Sequence, residues 1–322
     1  MEKVNVALIG AGGMANGVHY PSLAEFDDVN LVGLCDLIPE KLKATAERFK
    51  IEKTFTDYKQ MIEKTGPDAI YILMPPHHLF DLAIHALSQG LHVFIEKPPG
   101  VTLHQIKSMA LLAEKKGCKT MVGFNRRFIP LMQQVKKMVE DKGPIIQCVS
   151  TFHKNSPDAL YYNGAIDVLS CDAIHTVDAL RWMAGSDVKV VASDINSYYS
   201  ERENSFNALV KFENGCTGII MTNWAVGARI HVFEMHAKGI SALINPDLDG
   251  IAVILEGSSK KEITTVEAAG TDANYKAYGF FGENRHFINS IKADKQPDTC
   301  FADAVKTMEL VQLMYANRID DE

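Results

Sequence analysis

The chain has 322 residues, 47% of them hydrophobic and 23% charged, with a formal net charge of −7. That balance is ordinary for a packed globular protein long enough to form two domains, and with no Lys/Arg cluster it argues against electrostatic binding of nucleic acid or an anionic membrane. No apolar run approaches the ~18 residues of a membrane span, Met1-Glu2-Lys3-Val4 leads into a strand without a signal-peptide pattern, and the scattered Cys35, Cys118, Cys148, Cys171, Cys216 and Cys300 point to a reduced, cytoplasmic protein with neither a disulfide framework nor a zinc site.

Up to residue 122 the sequence alternates strand and helix. Val4–Ile9, Leu31–Cys35, Ala69–Met74, His92–Ile95 and Thr120–Val122 are apolar runs suited to parallel strands buried on both faces. Between them, Asp57 with Gln60 and Thr102 with Gln105 have the spacing of an N-cap and its third helical residue. Repeated βα units predict a doubly wound parallel sheet with right-handed crossovers. After residue 123 the pattern changes. A helix is expected near Pro130–Val139, a strand at Ile145–Phe152 and a long helix near Ala165–Met183. Phe206–Phe212 and Thr217–Thr222 flank Glu213-Asn214-Gly215-Cys216, a strong hairpin signal. Ile230–Ala237 and Ser241–Ile244 flank Lys238-Gly239, and Asp249-Gly250 precedes Ile251–Leu255, which suggests a third turn. A closing helix covers about Ala302–Asn317. The expected architecture is α/β. A Rossmann domain spans 1–122, and an α+β domain with a large, mainly antiparallel open sheet spans 123–322. The closing helix is free to return to the first domain.

Gly10-Ala11-Gly12-Gly13-Met14-Ala15 fits G-x-G-x-x-G/A directly after the first strand, where a dinucleotide fingerprint must lie. Gly10 permits a tight turn, Gly12 a close approach of backbone to pyrophosphate, and Ala15 close packing of helix on strand. The helix N-terminus offers unpaired N–H groups to phosphate. An ordinary strand–helix turn is the alternative. Asp36 ends the second strand, placed to accept hydrogen bonds from ribose hydroxyls and to repel a 2′-phosphate, with no Arg beside it. NAD is therefore favoured over NADP. Asp36 also suits a plain turn ahead of Pro39.

Glu96-Lys97-Pro98 follows the strand His92–Ile95. Together with the glycine motif, Asp36, Gly123-Phe124-Asn125-Arg126-Arg127-Phe128, His175-Thr176-Val177-Asp178 and Glu283-Asn284-Arg285-His286-Phe287, it resembles the glucose–fructose oxidoreductase / inositol dehydrogenase family over essentially the whole chain. The resemblance implies binding of NAD or NADP by the first domain, and a substrate sheet that often serves as an oligomer interface in the second. The reaction it implies is oxidation of a hydroxyl, or reduction of a carbonyl, on a sugar, inositol or related polyol. It assigns Lys97 to the cofactor and the reacting hydroxyl, His175 to catalysis, and Gly10, Gly12, Gly13, Met14, Ala15, Asp36, Met74, Pro75, His78, Glu96, Lys97 and Asn125 to the cofactor. Pro98 disfavours helical dihedrals at Lys97 and keeps the strand extended to its end, where open α/β sheets bind ligands. A lysine there can transfer a proton or only fix the cofactor.

Two departures from the family pattern stand out. Many members place an Asp four residues before the histidine. Here that position is Cys171, and Asp172 comes next, still close enough at i, i+3 to orient His175 or share its proton, which makes Asp172 a catalytic candidate beside Lys97 and His175. Where the family often has Thr-Pro-Asn and then His, this chain has Met74-Pro75-Pro76-His77-His78-Leu79, so His78 is the residue expected near the nicotinamide. No metal is expected, because His77 and His78 lack a third ligand at zinc-like spacing. On a helix from 166 to 182, Ile166, Leu169, Ala173, Val177 and Leu180 form one apolar stripe, while Val168, Cys171, Asp172 and His175 share another face that can line a cleft or meet water. Tyr161, Tyr162 and His153 are candidates for polar substrate contacts or ordinary loop and strand residues. The leading expectation is an NAD-dependent dehydrogenase acting on a polyol. The alternatives are an enzyme that recycles bound NAD, by glycoside hydrolysis or sugar–sugar oxidoreduction, and a non-catalytic NAD-binding regulator. A homodimer or homotetramer is expected, built on Phe206–Phe212, Thr217–Thr222 and Ile230–Ala237.

Overall fold

A computed structural model describes residues 3–319. Met1, Glu2 and residues 320–322, which the expected domain boundaries include, lie outside them. Two compact units emerge: Met1–Asn125 with Asn274–Val305, and Arg126–Ala273 with Lys306–Glu322. Compactness thus divides the chain differently from a single cut after residue 122. Among the described residues no helix is long and apolar enough to cross a membrane.

The first unit holds a parallel sheet of β1 (Val4–Ile9), β2 (Val29–Cys35), β3 (Thr54–Phe55), β4 (Ala69–Ile72), β5 (His92–Ile95) and β6 (Thr120–Val122) in the order β3-β2-β1-β4-β5-β6. β4 and β6 are buried throughout, as their unbroken apolar runs require. The strand expected to reach Met74 stops at Ile72, because Pro75 and Pro76 open the next helix, Pro76–Ser88. Thr102 caps its helix through the Gln105 N–H, whereas Asp57 caps through Lys59. Strand order reverses between β1 and β4, the switch point where doubly wound sheets bind ligands. The returning segment adds the helix Phe280–Lys292, which buries Phe280, Glu283, Asn284, Phe287 and Ile288.

The second unit holds eight strands: β7 (Gln147–Asn155), β8 (Val188–Asn196), β9 (Ser205–Phe212), β10 (Thr217–Asn223), β11 (Ala225–Ala237), β12 (Ile240–Ile244), β13 (Ile251–Glu256) and β14 (Ser259–Thr264). Their order is β14-β13-β12-β11-β7-β10-β9-β8, antiparallel except for the β7–β10 pair. Gly215 and Gly239 take φ of +87° and +76° in the β9–β10 and β11–β12 turns, which only glycine adopts cheaply. The third turn is a wider loop, closed by the Gly250 N–H on the Asp247 carbonyl at 2.8 Å. The helices Pro130–Glu140 and Ile174–Ala184 pack against the sheet.

The long helix expected over 165–183 is broken. Val168–Cys171 and Ile174–Ala184 are separate helices, joined at Asp172 and Ala173. Asp167 caps the first through the Ser170 N–H, and the Ala173 N–H reaches back to Val168, one residue further than an α-helix allows. Cys171 and His175 are each only 3% exposed, so their face does not meet water.

Two family-like motifs meet inside this unit. The Arg127 guanidinium grips Asp178 bidentately, with Nε at 2.8 Å and Nη2 at 2.5 Å, and both side chains are buried. Thr307 donates to Asp178 at 3.0 Å and accepts from Arg181 at 2.7 Å. Removing one partner of a buried pair strands the other charge. Asp178→Ala should therefore destabilise the protein by about 3–5 kcal/mol. Urea unfolding would read this as a lowered midpoint, and an unchanged midpoint would contradict it.

Candidate active site

Gly10 leaves β1 with φ +108°, and a Cβ there would stand 2.4 Å from the Leu73 carbonyl oxygen. Only glycine fits. Its N–H donates to Cys35 at 2.8 Å, and the Tyr20 hydroxyl donates to its carbonyl at 2.9 Å. Asp36 then clamps the turn: Oδ2 accepts the Ala11 N–H at 2.7 Å and Oδ1 the Ile38 N–H at 2.8 Å. A carboxylate has about four acceptor positions, so capacity for ribose hydroxyls remains. At Gly12 and Gly13 an added Cβ meets nothing within 4 Å. Open space therefore lies directly over backbone at the start of the helical stretch 13–24, as a pyrophosphate requires. Met14 is exposed beside it, and Ala15 is buried.

Asp36, Met74 and His78 line one cavity of about 390 Å³ with Leu37, Asp57, Tyr58 and Asp81, within the size range of small-molecule sites. Burial, and then the charge of Asp36, pushes the Cys35 thiol up to about 11, so it lines this cavity as a neutral group. Pro75 precedes the first turn of the helix Pro76–Ser88. Turn, cavity and strand-end carboxylate together fit a dinucleotide.

β5 delivers Glu96 and Lys97 at its C-terminal end. Lys97 is half-buried. Glu96 is 9% exposed, and its carboxylate is turned inward. Oε1 lies 2.7 Å from His19 Nε2, and Oε2 accepts the Lys97 N–H at 3.0 Å. Asn125, also buried, donates to the Tyr278 carbonyl at 2.8 Å.

In the second unit Asp172 occupies the break between helices. Its carboxylate accepts the Tyr161 hydroxyl at 3.0 Å and pairs with the Lys154 ammonium. Trp224 Nε1 donates to Tyr161 at 3.1 Å. Burial, with the charge of Asp172 as the next cause, raises the Tyr161 hydroxyl well above its ordinary value. His231 is buried and held well below the ordinary histidine value by desolvation, then by Arg126 and Arg229, so it is neutral near pH 7.

Of the expected dinucleotide residues, Gly10 to Ala15 form the turn that Asp36 clamps, and Asp36, Met74 and His78 line the cavity, with Glu96 and Lys97 two strands away from β1 in the same sheet. Tyr161 and Asp172 come together, while Tyr162 is exposed. Sequence reasoning missed His19, Tyr58, Asp81, Lys154 and Trp224. His19 sits among apolar helix positions and carries no local signal. Lys154 and Trp224 meet only through strand pairing.

The family model for "Oxidoreductase family, NAD-binding Rossmann fold" matches residues 4–124, and that for the "GFO/IDH/MocA C-terminal domain" matches residues 132–239. The chain is 24% identical over 243 residues to myo-inositol 2-dehydrogenase of Thermotoga maritima, covering 71% of this chain and 72% of that protein. It is 25% identical over 334 residues to D-apiose dehydrogenase of Paraburkholderia graminis, covering 98% and 88%. A solved oxidoreductase from Agrobacterium radiobacter, in complex with NAD+, L-tartaric acid and magnesium, superposes with a TM-score of 0.83 at 20% identity, covering 98% and 96%.

The glycines separate folding from binding. Gly10→Ala should lower thermal stability, because its methyl meets the Leu73 carbonyl. Gly12→Ala should leave the melting temperature unchanged and weaken NAD by more than about tenfold, or 1.4 kcal/mol. Calorimetric titration beside a melting curve checks both. A Gly12→Ala protein binding NAD normally would remove the pyrophosphate assignment.

Proposed function

The chain belongs to the GFO/IDH/MocA oxidoreductase family, and from that membership we propose that it transfers a hydride between NAD(H) and a hydroxyl or carbonyl carbon of a sugar, inositol or related polyol. The observation that carries this reading is the pairing of a dinucleotide cradle at Gly10–Ala15 and Asp36 with a lysine at the C-terminal end of β5 in one sheet. NAD held on Gly12, Gly13 and Asp36 supplies the hydride acceptor. Lys97 polarises the reacting hydroxyl and takes or returns its proton. His175 is the second proton-transfer candidate, on the strength of the family resemblance. Asp172, bonded to Tyr161 and Lys154, is the third candidate of this group, one turn from His175, whose N–H donates to the Asp172 carbonyl at 3.3 Å. Names of the relatives, myo-inositol 2-dehydrogenase and D-apiose dehydrogenase, support a polyol or sugar.

We further propose a homodimer or homotetramer built on the second-unit sheet. One face buries Phe206, Ala208, Val210, Ile220, Phe233, Met235 and Ile254. By register the other presents Val190, Leu209, Met221, Leu243 and Leu255, which are 37–58% exposed. Exposed apolar residues of that kind, interspersed with Lys211, Glu234 and His236 on the same face, suit a cover, and a second copy supplies the same strands.

Screening sugars, sugar acids and inositols for NADH formation tests the activity. With the active polyol, Lys97→Ala should lower turnover about 10²–10⁴-fold while the melting temperature barely moves; near-normal turnover would reject the role. NADP should bind more weakly than NAD, and Asp36→Ala should narrow the difference in titrations. Light scattering at micromolar concentration should give a dimer or tetramer, and a monomer would refute the sheet assignment.

A further inference from the structure

We propose that His19 and Glu96 are positioning residues for Lys97, a buried hydrogen-bonded pair that ties the helix behind the dinucleotide turn to the backbone of the lysine. This rests on the reading of Lys97 as a proton-transfer group.

Three elements converge on the pair. His19 ends a π-helical turn, Ala15–His19, directly after the glycine motif; such wide turns recur at functional sites. Its ring is fully buried among Tyr71, Phe94 and Phe280. Nδ1 lies 3.3 Å from Asn284 Oδ1, on the helix Phe280–Lys292. Nε2 meets Glu96 Oε1 at 2.7 Å. Both ring nitrogens are thus engaged, and the imidazole has one orientation.

Glu96 transmits that orientation. Its second oxygen accepts the N–H of the next residue, Lys97, at 3.0 Å. The carboxylate cannot rotate without leaving a buried histidine and a backbone N–H unsatisfied. The space around it is also closed, since a Cβ on Gly123 would stand 3.1 Å from Oε1. Pro98 restricts the other side of Lys97, so the lysine backbone is held from both directions.

A metal centre is the competing explanation, because His19, Glu96 and Glu283 each bring a donor atom within 4.8 Å of the others. Two ligands about 2.0–2.1 Å from a tetrahedral zinc stand roughly 3.3 Å apart. The observed 2.7 Å between His19 and Glu96 is a hydrogen bond and leaves no place for an ion.

The test uses the full chain and two readouts. Trace acetic anhydride labels lysines, and peptide mass spectrometry compares Lys97 with exposed Lys43. Labelling of Lys97 should rise at least about fivefold in His19→Leu and in Glu96→Ala, and stay near wild type in His19→Gln, which keeps an N–H donor. With the polyol found by screening, His19→Leu should lose kcat by about 10–100-fold, as when orienting partners of a functional group are removed, with NAD affinity nearly unchanged. Labelling of Lys97 unchanged in both folded variants overturns the proposal. So does a loss of NAD binding equal to the loss of kcat that the Gln variant fails to restore. Should His19→Leu not fold, Glu96→Ala carries the same two readouts. A fully active Lys97→Ala enzyme would remove the catalytic reading alone, and the labelling would still decide the network.

Discussion

At the switch point of the parallel sheet, β1 and β4 release the chain in neighbouring positions, and the two exits nearly collide. A side chain on residue 10 would sit 2.4 Å from the Leu73 carbonyl. With only hydrogen there, Gly10 turns at a positive φ, and its own amide can reach the end of β2. The turn then has a single course. Tyr20 holds it from the helix side and Asp36 from the β2 side. The chain leaves this turn as a stretch of bare backbone at a helix start, with space above Gly12 and Gly13. The crowding below the turn and the vacancy above it are two results of one constraint, and the cofactor half of the chemistry depends on both.

The sequence carried this half well because its signals are local. Fingerprint, apolar strands and strand-end acid all lie within a few residues of the features they specify, and five of the six parallel strands are visible as apolar runs. β3, two residues long, is not. The second unit was legible where turns announce hairpins, as at Asn214-Gly215 and Lys238-Gly239. It was illegible where pairing joins distant segments. Nothing in Ile145–Phe152 or Thr217–Thr222 says that they run parallel as neighbours. β14 was hidden by its own edge protection: Ser259, Lys260, Lys261 and Glu262 give no apolar run to read, yet charged residues suit an exposed edge strand. The helix at 165–183 kept its apolar period through the break at Asp172, so periodicity could not reveal that the carboxylate turns to Tyr161 and Lys154.

Each unit commits buried polar groups to one fixed arrangement. In the second, Arg127, Asp178, Arg181 and Thr307 lock the helix Ile174–Ala184 to the segment that opens the unit and to the closing helix. In the first, His19, Glu96 and Asn284 join three elements that are far apart in sequence. Buried charges are poor sources of net stability beside well-packed apolar groups. Their value lies in direction: an apolar core tolerates small slides, whereas a two-point guanidinium–carboxylate contact or a doubly bonded imidazole does not.

The first unit is discontinuous, running over Met1–Asn125 and resuming at Asn274–Val305. A ribosome delivers these pieces in order, at about 5–20 residues per second. The six parallel strands all leave the ribosome well before the helix Phe280–Lys292 exists. Until it arrives, His19 lacks Asn284, and Tyr71 and Phe94 lack the ring of Phe287 against which they pack. For that interval the nascent chain leaves aromatic surface of its own sheet uncovered, the kind of exposure that makes a partly folded domain prone to aggregation.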